Sequence, residues 1–161
     1  MTAKQESRLA EASVKSLQEE PRFEFLEHTA DLYVAAYGTT LKEAFENAAL
    51  AVFEAMTEIE KITPASKETV EVDGHDEEAL LYNWLEALLV KFETTDHIYS
   101  KFQITDLTQT DQGYKLKAQI QGEKFDPDRH PQKVGIKAVT YHRMEFVKKP
   151  NRITAKFILD I

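Results

Sequence analysis

Strand-like and helix-like segments follow one another in this chain in an order that excludes a regular alternation of strands and helices. Two short strand-like runs come first, and then a helical segment, a third strand, a second helical segment and four more strands. Parallel sheets need a helical crossover between most neighbouring strands. The order β-β-α-β-α-β-β-β-β therefore predicts an α+β fold, in which two main helices pack on one face of a mostly antiparallel sheet.

Both helical segments carry a start signal and an apolar face. Thr40 and Glu43 have the spacing of a capping box, and Asp76 can cap the second helix. The apolar residues of the two faces recur at helical spacing and are Leu41, Phe45, Ala48, Val52 and Met56 in the first and Leu81, Trp84, Leu85, Leu88 and Phe92 in the second. Faces of this width predict helices that pack on a sheet.

The strands are predicted from alternation and from the turn residues between them. Alternation is clearest in residues 114–120, where every second residue is apolar and a turn at 111–113 comes before the strand. The predicted strands cover approximately residues 23–27, 32–37, 69–72, 102–104, 114–120, 136–147 and 152–159.

Length and composition limit the class of protein. The 161 residues suit one domain, which we place at residues 23–161, with residues 1–22 as a flexible or partly helical N-terminal extension. No cysteine is present, which excludes disulfides, thiolate zinc sites and cysteine nucleophiles. A net charge of −8 argues against a broad nucleic-acid surface. No apolar run is long enough to span a bilayer, so we expect no membrane association and a cytoplasmic location, or a nuclear one in a eukaryote.

Standard catalytic motifs are absent from the sequence. We find no phosphate-binding GxxxxGK[ST], no GxSxG elbow and no HExxH, and the five glycines are too scattered for a dinucleotide-binding loop. The residues by themselves do not indicate an enzyme.

A polar cluster, His28-Thr29-Ala30-Asp31, interrupts the first two predicted strands. A carboxylate at such a junction is costly to bury unless a cation or hydrogen-bond donors meet it. Asp160 stands next to the last residue, so its side chain and the main-chain carboxylate of Ile161 lie close together. If Asp31 occupies a neighbouring strand end, three carboxylates converge, and at least one of their pKa values rises unless a cation neutralises them. Ligands that are all oxygen suit calcium, magnesium or manganese.

Each of these residues also has a structural interpretation. Asp160 can be a solvated chain end, and Lys137 can be an exposed strand lysine instead of a cation beside the carboxylates or toward a partner's phosphate. His28 can orient Asp31 or cap a turn, with metal ligation as the alternative. His142 is a further candidate for a functional role, with a structural role as the alternative.

Several strings of residues stand out across residues 23–161, and they are FLEHTAD (25–31), AYGTTLKEAFENAA (36–49), GEKF (122–125) with His130, IKAVTYH (136–142) and LDI (159–161). In sequence and in order, these strings resemble the archease family.

The resemblance implies a specific function. Archeases are small α+β proteins that assist the RtcB-type RNA ligase, which joins tRNA halves after intron removal. They promote guanylylation of the ligase's active-site histidine and allow multiple turnovers without being ligases. The resemblance implies a metal site at Asp31, Asp160 and the carboxylate of Ile161, and a functional lysine at Lys137. Calcium is the expected ion, with magnesium and manganese as alternatives. The ligase would be a transient protein partner, and tRNA would be met only through it.

Two other functions remain open from the sequence. One is a chaperone or modulator of a tRNA-modifying enzyme such as a methyltransferase. The other is a free-standing metal-dependent hydrolase, against which the lack of an evident base or nucleophile counts.

Overall fold

The computed structural model of the chain describes residues 20–26 and 31–161. The predicted N-terminal extension, except for residues 20–22, and His28 lie outside the described residues. The strands of the described part are β1 Phe23–Leu26, β2 Leu32–Gly38, β3 Ser66–Gly74, β4 His97–Thr110, β5 Gly113–Lys124, β6 Ala138–Lys149 and β7 Arg152–Asp160. The helices are α1 Leu41–Met56 and α2 Glu77–Thr95, with a short 3-10 helix at Ile59–Lys61.

The strands form two antiparallel sheets. The first has the order β1-β2-β7-β6 and the second the order β3-β5-β4, and every pairing is antiparallel. The predicted α+β class, with two main helices and antiparallel strands, is confirmed, and the strands divide between two sheets. Strand β4 is much longer than the strand predicted at 102–104. Many of its side chains are exposed, but β5 pairs with it along most of its length.

The predicted caps begin both helices. The Thr40 hydroxyl accepts a 3.2 Å hydrogen bond from the N–H of Glu43, and the Glu43 carboxylate accepts one from the N–H of Thr39 at 3.4 Å. The Asp76 carboxylate accepts a 2.7 Å hydrogen bond from the N–H of Ala79. These bonds satisfy N–H groups that have no partner within the helix.

One apolar cluster joins both helices to both sheets. Trp84 of α2 is fully buried, and its indole N–H donates a 3.0 Å hydrogen bond to the carbonyl of Phe45 in α1. Phe157 and Leu159 of β7 are also fully buried in this cluster. Their burial holds β7 in the first sheet up to its last residues, so the core determines where the end of that strand lies. Within the described ranges, no helix is long and apolar enough to cross a membrane.

Candidate functional site

The end of β7 lies between the start of β2 and the start of β6. Leu32 pairs with Leu159 across the β2–β7 ladder, and Ala138 pairs with Asp160 across the β6–β7 ladder. Continuing the first register by one position sets Asp31 opposite Asp160. Two residues that are far apart in the sequence therefore take facing positions at the ends of neighbouring strands.

Lys137 flanks Asp160 on the other side. Its main-chain N–H donates a 2.7 Å hydrogen bond to the main-chain carbonyl of Asp160. Lys137 comes directly before β6, just as Asp31 comes directly before β2. The three residues thus form a row across the end of the first sheet.

This row is accessible from outside the protein. Phe157, Ile158 and Leu159 are all buried, so both faces of β7 are covered up to Leu159, whereas the next residue, Asp160, is only half-buried. Asp31 is also half-buried, and Lys137 is exposed. Ile161 retains 39% of its surface exposed. A partner can therefore reach the charged groups without any opening of the core.

The predicted metal ligands are close in register, but the geometry of a metal site is not shown. In the described part of the chain, no group of three or more His, Asp or Glu residues is arranged to hold a metal ion. The predicted set has only two such side chains, Asp31 and Asp160, and its third donor is the main-chain carboxylate of Ile161. These donors are all oxygen and match the preference of a hard divalent cation. Metal binding at this position stays a prediction.

Only one of the two candidate histidines can be placed relative to this row. His28 is not among the described residues. His142 is exposed and lies four residues beyond Ala138, which corresponds to roughly 13 Å along an extended strand. It belongs to a bulge, because Thr140 pairs with Ile158 and Glu145 with Lys156, so that four residues of β6 oppose one residue of β7. A functional role for either histidine stays a prediction.

A second polar cluster lies in the loop that leads to Lys137, and no sequence prediction gave it a role. His130 is fully buried. Its Nδ1 accepts a 2.9 Å hydrogen bond from the N–H of Asp126, and its Nε2 lies 2.9 Å from a carboxylate oxygen of Glu123. Because Nδ1 is an acceptor, the proton is on Nε2 and is donated to Glu123. Both ring nitrogens are engaged, which makes His130 a structural histidine.

Glu123 is the centre of this cluster. Arg129 donates to both carboxylate oxygens, at 2.8 Å and 3.2 Å, and the N–H of Thr63 donates at 2.6 Å. Burial opposes ionisation of the Glu123 carboxyl, but the Arg129, Thr63 and His130 donors outweigh it and lower its pKa to about 2. The family-like string at 122–125 and His130 drew attention to both residues, but the sequence carries no signal that they are in contact.

The loop is also tied to the end of α1. The N–H of Lys133 donates to the carbonyl of Met56 at 3.0 Å, and the N–H of Val134 donates to the carbonyl of Ala55 at 3.1 Å. These carbonyls have no partner within the helix, so the bonds satisfy them. Lys137 therefore follows a segment that is anchored at α1 and at Glu123.

Comparisons with known proteins agree on one family. The sequence model of the Archease protein family (MTH1598/TM1083) matches residues 23–161. The chain is similar to the protein archease of Sulfurisphaera tokodaii, with 44% identity over 140 residues that cover 87% of this chain and 99% of that protein. It is similar to the protein archease of Pyrococcus abyssi, with 43% identity over 141 residues and the same two coverages.

Two solved structures have a similar fold. The solution structure of Methanobacterium thermoautotrophicum protein 1598 superposes with a TM-score of 0.76 at 38% identity, covering 87% of this chain and 99% of that one. The crystal structure of a Thermotoga maritima archease, described as a possible chaperone, superposes with a TM-score of 0.58 at 17% identity, covering 89% and 97%. At that identity the second structure bears on the fold alone.

Proposed function

The chain belongs to the archease protein family, and from this membership we propose that it is a non-catalytic activator of an RtcB-type RNA ligase in tRNA splicing. It promotes guanylylation of the ligase's active-site histidine and allows multiple turnovers. It acts through an acidic, metal-binding patch that consists of Asp31, Asp160 and Ile161, with Lys137 beside it.

The observation that carries the proposal is the row of Asp31, Asp160 and Lys137 at the end of the first sheet. The β2–β7 register, continued by one position beyond Leu32 and Leu159, sets Asp31 opposite Asp160, and a main-chain hydrogen bond joins Lys137 to Asp160. The sequence resemblance implied roles for these same residues from strings that are far apart in the chain. Together they offer two carboxylates and an ammonium to a partner at one accessible strand end.

The carboxylates of Asp31, Asp160 and Ile161 would hold a divalent cation, with calcium as the first candidate and magnesium and manganese as alternatives. When bound, the ion supplies a positive centre that accepts an oxygen ligand from the partner. The Lys137 ammonium, exposed beside them, is suited to contact a phosphate or a nucleotide in the ligase pocket.

The complex with the ligase is transient. An activator of this kind binds the form of the ligase that is competent for guanylylation more tightly than the stalled form, and so shifts the population toward the competent form. Contact with tRNA occurs only through the ligase.

The test measures guanylylation of a purified RtcB-type ligase by GTP, with and without this protein, at limiting and at excess divalent ion. We expect faster guanylylation and more than one turnover when the protein is present. If the protein has no effect on the ligase but improves the solubility or specificity of a tRNA methyltransferase, the alternative of a modulator of tRNA-modifying enzymes is correct. Turnover of a phosphate ester by this protein alone would identify a hydrolase.

A further inference from the structure

An exposed tyrosine pair lies on the surface between α2 and β6. The rings of Tyr82 and Tyr141 stack with their centroids 4.4 Å apart and their planes 5° from parallel. Tyr141 nevertheless keeps 53% of its surface exposed. Since Tyr82 covers one face of the Tyr141 ring, the exposed area includes the other face, which is open to a ligand.

A backbone irregularity puts Tyr141 in this position. Residues 141–144 oppose a single residue of β7, Phe157, and Arg143 in this bulge has a φ of 56°. Left-handed backbone at a residue other than glycine is strained. Bulges often redirect a side chain next to a functional site. Met144 of the bulge packs against the core, whereas Tyr141 is left largely exposed.

Carboxylates flank the pair. Glu78 and Glu86 lie one helical turn before and after Tyr82 on the same side of α2, and neither has an ion-pair partner within the described residues. Partial burial, Tyr82 and the carboxylates of Asp76 and Glu86 raise the pKa of the Tyr141 phenol. Arg143 of the bulge contributes one positive charge, and the ammonium of Lys148 is paired with Glu77. The carboxylates of Asp76, Glu78 and Glu86 therefore leave the surface acidic overall.

We propose that the tyrosine platform, defined by Tyr82, Tyr141, Glu78 and Glu86, binds an arginine side chain that is presented by a protein partner. A guanidinium stacks on an aromatic face and is attracted by its electrons. The two glutamates supply the countercharge, and Glu86 is exposed. A nucleic-acid base also stacks on tyrosine, but its phosphates would be repelled by these carboxylates. Charge therefore selects a basic protein segment over RNA.

A blocked pentapeptide, acetyl-Gly-Gly-Arg-Gly-Gly-amide, is a direct probe of the platform. It is titrated into the full chain while the ring resonances of Tyr82 and Tyr141 are followed by NMR. The same peptide with citrulline in place of arginine has nearly the same shape without the charge. We expect saturable shifts of both rings with the arginine peptide and no saturable shifts with the citrulline peptide.

Variants then assign the binding to individual side chains. Tyr141→Ala should weaken binding by roughly 3- to 30-fold, whereas Tyr141→Phe keeps the ring face and should bind like the natural protein. Glu86→Gln should weaken binding by roughly 2- to 5-fold. Glu60→Gln removes an exposed carboxylate from the 3-10 helix and should change nothing. Urea unfolding verifies that each variant is folded.

Three results would overturn the proposal. Equal binding of the citrulline and arginine peptides would show that charge is not recognised. Unchanged binding by Tyr141→Ala would place the peptide elsewhere. Saturable binding of guanosine monophosphate at these rings, with no binding of the arginine peptide, would identify a nucleotide site. The probe is a free peptide, so the outcome does not depend on whether the ligase is activated.

Discussion

The main-chain N–H of Lys137 donates a 2.7 Å hydrogen bond to the main-chain carbonyl of Asp160. Main-chain atoms form this bond, so either side chain can be replaced without removing it. The strand pairing that positions the row is thus separate from the side chains that would carry its chemistry. Substitutions at these residues can therefore test function with little effect on the fold.

Removing one carboxylate of the row should abolish activation. Asp31→Asn and Asp160→Asn keep the size of the side chain but remove its charge, and cation affinity at oxygen sites depends strongly on the number of charged ligands. We expect calcium affinity, measured by calorimetry, and stimulation of ligase guanylylation each to fall at least about ten-fold. Asp128→Asn, an exposed loop residue, is the control. Full stimulation by both site variants would contradict the proposed metal patch.

Replacing the Lys137 side chain should change the stimulation of the ligase but not the affinity for the ion. Lys137→Ala keeps the main-chain bond to Asp160, so calcium affinity should stay unchanged while stimulation of guanylylation falls. Lys137→Arg keeps the charge and should retain part of the stimulation. Lys137→Pro removes the N–H donor and should reduce both calcium affinity and stimulation. A loss of calcium affinity in Lys137→Ala would instead assign this side chain to the metal site.

The sequence predicted the parts of the fold that depend on local signals. The caps at Thr40 and Asp76 act within one helical turn, and the apolar faces of both helices follow from spacing alone. The division of the strands into two sheets depends on which strands pair. The length of β4 depends on its pairing with β5, because many of its own side chains are exposed.

For the sites too, the sequence indicates individual residues, whereas their contacts depend on how distant parts of the chain pair. The resemblance to a family indicated Asp31, Asp160 and Lys137, and the register brings them together. The contact between Glu123 and His130 depends on how a loop folds back, and no spacing rule predicts it. The Tyr82–Tyr141 stack joins helix α2 to the bulge in β6. Extra residues in one strand leave no mark in the alternation of apolar residues, so the sequence does not predict this bulge.

The position of the terminal carboxylate should matter as much as the aspartates. Adding Gly-Gly after Ile161 moves the carboxylate away from Asp160, and β7 already ends at Asp160. We expect loss of ligase stimulation comparable to that of Asp160→Asn, with unchanged urea unfolding. Ile161→Val keeps the carboxylate in place and should stimulate normally. Equal stimulation by the extended and natural chains would exclude this carboxylate as a ligand.

Glu123 should make stability depend on pH in the acid range. Its pKa is lowered to about 2 in the folded protein, so its contribution is fully present above about pH 4.5, the unfolded value, and is lost as the pH falls toward 2. With allowance for solvent around Arg129, the contribution is about 1–2 kcal/mol. Urea unfolding of the natural protein and of Glu123→Gln should differ by this amount at pH 6, and the difference should shrink by pH 3. A constant difference between pH 6 and pH 3 would mean that the charge of Glu123 does not stabilise the fold.

Two glycines should differ strongly in their response to the same substitution. A Cβ added at Gly122 would lie 1.8 Å from the carbonyl oxygen of Ile98 and 2.7 Å from the Cα of Tyr99, where the β4–β5 register begins to shift, whereas a Cβ at Gly135 meets no atom within 4 Å. Gly122→Ala requires backbone movement and should lower the free energy of unfolding by about 3 kcal/mol. Gly135→Ala should change it by less than about 0.5 kcal/mol. Urea unfolding at neutral pH measures both, and equal effects would show that β4 does not approach β5 this closely.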